Sequence, residues 1–220
     1  MKLQPQPPER RPLHRADDPA SILRDAEIPY GFDRDSAMAA TTRRFLDGLA
    51  SSGIPHLLVG ALAMLQHIDG RTTRDIDLIV ALDDLEKIPG FLLEERNEWF
   101  ATGTVGPLRI DLLFTANPLF AEVLANHAVT KALLDVPIRC ATPEGIILLK
   151  LFALPSLYRQ GNIQRAALYE SDILQLLLHQ PVPCETLLAQ LQAHMPPSDI
   201  NALRHILTEI QQRLTNQHRF

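Results

Sequence analysis

Leu58-Val59-Gly60-Ala61-Leu62-Ala63-Met64-Leu65-Gln66-His67-Ile68-Asp69-Gly70-Arg71-Thr72-Thr73-Arg74-Asp75-Ile76-Asp77-Leu78-Ile79-Val80 is the stretch whose reading decides the fold. It opens as an apolar strand, turns at Gly60 into a short helix, breaks at Asp69-Gly70, and returns as a second strand. Asp75 and Asp77 stand at i and i+2, and side chains alternate along a strand, so both point to one face. Ile76, Leu78, Ile79 and Val80 make the strand itself apolar and therefore largely buried. Two carboxylates held together there repel and raise each other's pKa unless a cation lies between them. Hard divalent cations take oxygen ligands, and Mg²⁺ typically uses one or two carboxylates plus phosphates. A metal site is the sharper reading. A strand-end turn in which an Asp caps backbone amides is the plainer one.

Two further features favour the metal. Gly60 opens a strand-to-helix turn whose free N–H groups suit an anion. Arg109-Ile-Asp-Leu-Leu-Phe114 is a short apolar strand with one acid, Asp111, in its middle, and a lone carboxylate there is costly without a partner or a metal. Pairing beside the first strand would complete a cluster of three carboxylates.

A glycine-bearing turn at a helix start, Asp-x-Asp on a strand and a third Asp on a neighbouring strand resemble the signature of the polymerase-β-type nucleotidyltransferase superfamily. The longer Arg71-x-Thr73-x-Asp75-Ile76-Asp77 resembles the AbiEii-type nucleotidyltransferases, several of which are toxins of toxin–antitoxin pairs. The resemblance spans roughly residues 40–180. One departure is visible. The superfamily usually follows the glycine with Gly or Ser, and here Gly60 is followed by Ala61, which removes a hydroxyl but keeps the amide.

The resemblance implies an α/β (α+β) fold, a nucleotidyltransferase-type mixed sheet flanked by helices and followed by a C-terminal helical part. Residues 1–30 would be a tail, 31–141 the core and 142–220 the helical region. Asp75, Asp77 and Asp111 would be catalytic and would hold Mg²⁺ or Mn²⁺. Gly60, Ala61, Arg71, Thr73, Arg74 and Lys150 would contact the NTP, with Asp172 in support; Arg159 and Arg165 could line the cleft or, equally, lie on the surface. The reaction moves NMP to an acceptor hydroxyl, which for the AbiEii-type relatives implies a tRNA 3′ end or a protein, and an antitoxin as partner. A small-molecule acceptor of the antibiotic type is a rival. So is a catalytically inactive binding or regulatory protein of the same fold, a reading that the Ala61 departure motivates.

Composition bounds this reading. The chain has 220 residues, 46% of them hydrophobic, enough for one large domain or a domain with a helical appendage. A net charge of −5 and a pI near 5.9 give no general pull toward nucleic acid, although one cleft can still be basic. Cys140 and Cys184 lie far apart without metal-like spacing and read as reduced, buried residues of a cytoplasmic protein. No apolar run reaches membrane-spanning length, and the N-terminus lacks a signal-peptide pattern.

Residues 1 to about 30 are rich in Pro, Arg and Asp and should bury little, remaining mobile or extended. Arg10, Arg11 and Arg15 could meet RNA or a partner, though a solvated tail is the commoner meaning of such a run. A helix is expected over 33–52 with Asp33 or Asp35 as cap, a strand over 55–59, a helix over 61–68, and a helical connection over 82–96 broken at Pro89-Gly90. Residues 98–105 and 108–114 read as a hairpin. A helix over 118–126 and a last strand over 136–139 follow.

Thr142-Pro143-Glu144 is a helix start, with a capping hydroxyl, Pro at the first position and an acid favoured by the dipole. That helix is apolar nearly all round, should end near Pro155, and contains Lys150. A buried lysine needs a partner unless its stem snorkels to the surface. In the resemblance a lysine on this helix faces the nucleotide, and Asp172, on the next helix over 162–179, could pair with it. Arg71 and Arg74 could meet phosphates or simply neutralise Asp75 and Asp77. Two packing helices close the chain. His56, His67, His194, His205 and His218 belong to no metal pattern.

Overall fold

The computed structural model describes residues 37–68, 73 and 75–217. The N-terminal tail with Arg10, Arg11 and Arg15, the caps Asp33 and Asp35, the Asp69-Gly70 turn, Arg71, Arg74 and His218 lie outside the described residues.

The chain enters through helix α1, Ala37–Ser51, whose buried side is Ala39, Thr42, Phe45, Leu46 and Leu49. Strand β1 (His56–Val59) and helix α2 (Gly60–Met64) follow directly on one another, and strand β2 is Asp75–Val80. Strands β3 (Leu92–Arg96), β4 (Phe100–Val105) and β5 (Leu108–Phe114) form an antiparallel meander. Helix α3 is Pro118–Asn126, and strands β6 (Ala128–Leu133) and β7 (Val136–Ala141) form a second hairpin. Four helices close the described chain: α4 (Pro143–Arg159), α5 (Ile163–His179), α6 (Cys184–Leu191) and α7 (Pro197–Gln217).

The strands make one seven-stranded mixed sheet in the order β3-β4-β5-β2-β1-β7-β6. β2 is central, antiparallel to β1 and parallel to β5. Every residue of β1 and β2 is buried, as a strand covered on both faces requires. Helices flank the sheet, and a helical C-terminal part follows it, so the chain has the mixed α/β architecture expected from its sequence. One continuous apolar core runs from Phe45 on α1 through the sheet to Ile210 on α7.

Local chemistry explains most element boundaries. Asn117 caps α3 by accepting from the Leu119 amide at 3.0 Å, with Pro118 in the first turn. Thr142 caps α4 by accepting from the Gly145 amide at 3.3 Å, with Pro143 and Glu144 behind it, as the sequence implied. Asn162 caps α5 through the Arg165 amide at 3.3 Å.

Four expectations need correction. The helical connection over 82–96 is a 3-10 turn, Leu82–Lys87, followed by strand β3. Gly90, at φ +66°, turns the chain there, and pairing with β4 overrides the helix-forming character of Leu92-Leu93-Glu94-Glu95-Arg96. The helix expected over 61–68 begins at Gly60, ends at Met64 and gives way to turns. The lone strand over 136–139 is one arm of a hairpin whose turn residues, Leu134 and Asp135, both adopt positive φ (50° and 66°). Helix α4 runs past Pro155 to Arg159, since that proline removes one donor without stopping a helix held by buried neighbours on both sides.

Candidate active site

The parallel pairing of β2 and β5 sets Asp77 opposite Asp111 and Asp75 opposite Arg109. Positions two apart on one strand share a face, so Asp75, Asp77, Arg109 and Asp111 all project from the same side of the sheet. All three acids are buried, Asp111 completely. Adjacent strands lie roughly 4.8 Å apart, so Asp77 and Asp111 are lateral neighbours. Arg109 closes on Asp111, its Nε 3.2 Å from Oδ1. The sequence pattern assigns Arg109 no role. Its signal was the i, i+2 spacing to Asp111 on an apolar strand.

The turn after β1 approaches this face from the other side. Val59 pairs with Asp77, and Gly60 follows it at φ +67°. A Cβ built on Gly60 would lie 1.9 Å from Oδ2 of Asp77 and 2.6 Å from its Cγ. The missing side chain is thus the space in which the Asp77 carboxylate sits. No other residue fills both demands, a left-handed backbone and an absent Cβ. Thr73 anchors the entry to β2. Its hydroxyl accepts from the Asp75 amide and donates to the Asp75 carbonyl, both at 3.2 Å. Arg71 and Arg74 lie outside the described residues.

Lys150 is buried in α4, and its Nζ donates to Oδ2 of Asp172 on α5 at 2.7 Å. The same Nζ stands 4.3 Å from the ring centroid of Tyr169. The lysine expected to need a partner has one, and Asp172 is that partner. Arg165 stacks near the other cation, its Cζ 5.8 Å from the Tyr169 ring. Its Nε and Nη2 are buried and meet no hydrogen-bond acceptor among the described residues. Arg159 is on the surface, where its Nη1 donates to both carboxylate oxygens of Asp199 at 3.0 Å and ties the end of α4 to the start of α7.

The histidines do other work. Burial lowers the pKa of His56, His67 and His127. Nδ1 of His56 bonds the Ile54 carbonyl at 2.8 Å, Nε2 of His67 bonds the Ala141 carbonyl at 2.8 Å, and His194 meets Glu122 at 2.9 Å. Both cysteines are free and buried, and burial pushes the Cys140 thiol up to about 12.

Among the described residues, no group of three or more His, Cys, Asp or Glu side chains is placed to hold a metal ion. The donor set nonetheless has hard-cation chemistry, because Asp75, Asp77 and Asp111 offer only carboxylate oxygens. Asp77 and Asp111, register neighbours on one face, are the pair that suits Mg²⁺ or Mn²⁺, ions that complete their shells with water and phosphate.

No family model matches the chain, and no curated protein matches it. Among solved structures it is similar to ANT(2")-Ia in complex with adenylyl-2"-tobramycin, at 14% identity over 77% of this chain and 98% of that one, with a TM-score of 0.49. It is also similar to the solution structure of the antibiotic-resistance factor ANT(2'')-Ia (16% identity, 84% of this chain, 98% of that one, TM-score 0.48). An antigenic nucleotidyltransferase-like protein from Paracoccidioides brasiliensis follows (14%, 84%, 93%, TM-score 0.43). At these identities and overlaps, the chemistry of the site has to come from its own residues. Among the described residues, no helix is long and apolar enough to cross a membrane.

Proposed function

We propose that the chain is a metal-assisted nucleotidyltransferase that moves NMP from an NTP to an acceptor hydroxyl. The observation that carries this reading is the placement of Asp77 and Asp111 side by side on buried parallel strands, with the glycine turn at Gly60 packed onto the Asp77 carboxylate. Holding like charges together in a core is unfavourable, and sites that do so are commonly built for a cation and the anion it brings.

Asp75, Asp77 and Asp111 would hold the metal. When bound, Mg²⁺ or Mn²⁺ supplies charge neutralisation for the polyphosphate and a lowered pKa for the attacking hydroxyl. The amides of Gly60 and Ala61 orient the phosphates, and Thr73 fixes the backbone from which Asp75 projects. Arg71 or Arg74 and Lys150 would hold the phosphates, with Asp172 positioning Lys150. Arg109 orients the Asp111 carboxylate, which would take the proton of the acceptor hydroxyl. That oxygen then bonds the α-phosphorus, the bond to the β-phosphate breaks, and pyrophosphate leaves. Most of the rate gain is placement and charge neutralisation. On this reading the acceptor is a tRNA 3′ end or a protein hydroxyl, and the chain is the toxin of a toxin–antitoxin pair.

A second reading is a binding protein that keeps the fold without the transfer. It is favoured by the absence of a closed three-ligand group among the described residues and by the hold of Arg109 on Asp111. Titration of each NTP with and without Mg²⁺, on wild type and on Asp75→Ala/Asp77→Ala, separates the two. Metal-dependent binding lost in the variant, together with label transfer from one α-labelled NTP into cell RNA or protein, supports the enzyme. A folded wild type that binds no NTP sinks it.

A further inference from the structure

The exposed large apolar side chains among the described residues are Leu92, Leu93, Trp99, Tyr158 and Ile163, and the first three lie on β3 and the turn after it. Leu92 is 68% exposed, Leu93 45% and Trp99 40%. β3 is an outer strand that pairs with β4 alone, so its other backbone edge meets no strand among the described residues. Glu94, Glu95, Arg96 and Glu98 stand exposed between these apolar groups, three acids against one base. None of the three acids forms an ion pair with a described residue. An open apolar edge of this kind normally recruits a cover.

The charge says what kind. A second copy pairing antiparallel about Glu94 would set Glu94 against Glu94 and Leu93 against Glu95. Like charges directly opposite one another are destabilising, which disfavours that register. The edge suits an occupant that carries arginine or lysine. The chain itself has such a segment in residues 4–15, Gln-Pro-Gln-Pro-Pro-Glu-Arg-Arg-Pro-Leu-His-Arg, outside the described residues. The described chain also begins at the right place. Thr41, near the start of α1, lies against Gly106 in the β4–β5 turn, where an added Cβ would be 3.9 Å from its methyl group. Leu92 opens β3 opposite Thr104, at that same end of the sheet. From the β4–β5 turn to the outer edge is about 10 Å, two strand spacings. Residues 16–36 could span up to about 70 Å if fully extended, so reach sets no limit.

We propose that β3 and Trp99 form a docking strip for residues 4–15 of the same chain, with Arg10, Arg11 and Arg15 set against Glu94, Glu95 and Glu98. Trp99 is the single tryptophan of the protein, so its fluorescence reads the strip directly. The experiment uses the full chain and measures acrylamide quenching of Trp99, with hydrogen exchange at the amides of residues 92–96 as a second readout. Charge reversal by Arg10→Glu/Arg11→Glu/Arg15→Glu touches no core residue. It should weaken docking about tenfold, the sum of three exposed pairs, and raise both quenching and exchange. Salt near 1 M should do the same to the wild type. Adding Glu94→Arg/Glu95→Arg to the reversed segment should restore protection. Unchanged quenching on reversal overturns the proposal, as does failure of the charge swap to restore it. Trp99 protection that grows with protein concentration overturns it in favour of a second copy.

Discussion

Replacing Gly60 with alanine tests the glycine turn as the seat of Asp77. Two separable terms oppose the substitution. An alanine at φ +67° costs about 1–2 kcal/mol for the left-handed backbone alone. The new Cβ also falls 1.9 Å from Oδ2 and 2.9 Å from Cβ of Asp77, on a strand whose every residue is buried, so something rigid must shift. Overpacking of that kind adds about 1–3 kcal/mol. Gly53 supplies the control, because it has φ +72° and nothing within 4 Å of the added methyl. Gly53→Ala should therefore lose only the backbone term, about 1–2 kcal/mol, and Gly60→Ala about 2–5 kcal/mol in all. Urea unfolding of both variants measures the difference, read as midpoints at a common slope. NTP titration should show Gly60→Ala losing affinity while Gly53→Ala keeps it. If Gly60→Ala loses no more stability than Gly53→Ala, the carboxylate does not occupy that space and the account of the turn is wrong.

Other outcomes follow from buried charge and burial. Lys150→Met removes the buried cation paired with Asp172 and should cost about 3–5 kcal/mol, whereas Lys150→Met/Asp172→Leu should recover most of it; denaturant midpoints decide, and a double variant no better than the single one refutes the pair. Burial depresses the pKa of His56, His67 and His127 below the ordinary 6.5, so at acid pH the unfolded chain binds more protons than the folded one. Their contribution to stability is present above about pH 6.5 and is lost as pH falls through the folded values; unfolding midpoints from pH 7 down to 5 should drop, with a shallower drop in His56→Leu. Cys140, fully buried with its thiol pushed up to about 12, should react with a thiol reagent only at the rate of unfolding, and rapid labelling of the native protein would contradict that placement.

The site strands were legible because two independent patterns agree there. Ile76 and Leu78–Val80 say buried strand, and the two-residue spacing of Asp75 and Asp77 says one face, whatever the rest of the chain does. Asp111 was visible as the lone acid in an apolar strand, but its pairing opposite Asp77 came from the resemblance, since no local signal sets a non-local register. What escaped had a physical reason. Leu92–Arg96 consists largely of good helix formers, and only the edge of β4 makes it a strand. The β6–β7 hairpin turns on Leu134-Asp135, residues that rarely take positive φ and so give no turn signal. Arg109 was hidden because an arginine at a strand end ordinarily faces solvent. Lys150 was seen to need a partner, and the choice of Asp172 over solvent is decided by packing between α4 and α5, which a sequence pattern does not carry.

The order in which the sheet's neighbours are synthesised sets a hazard on the ribosome. β2 follows its antiparallel partner β1 after residues 60–74, but its other edge stays open until β5 has emerged some thirty residues later. During that wait, Ile76, Leu78, Ile79 and Val80 present a short, flat apolar ribbon, the kind of segment that recruits strands from other nascent chains. Asp75 and Asp77 interrupt that ribbon at its leading end. Acids at that position act as gatekeepers against misassembly, and neutral replacements of Asp75 and Asp77 should also lower the yield of soluble protein during synthesis.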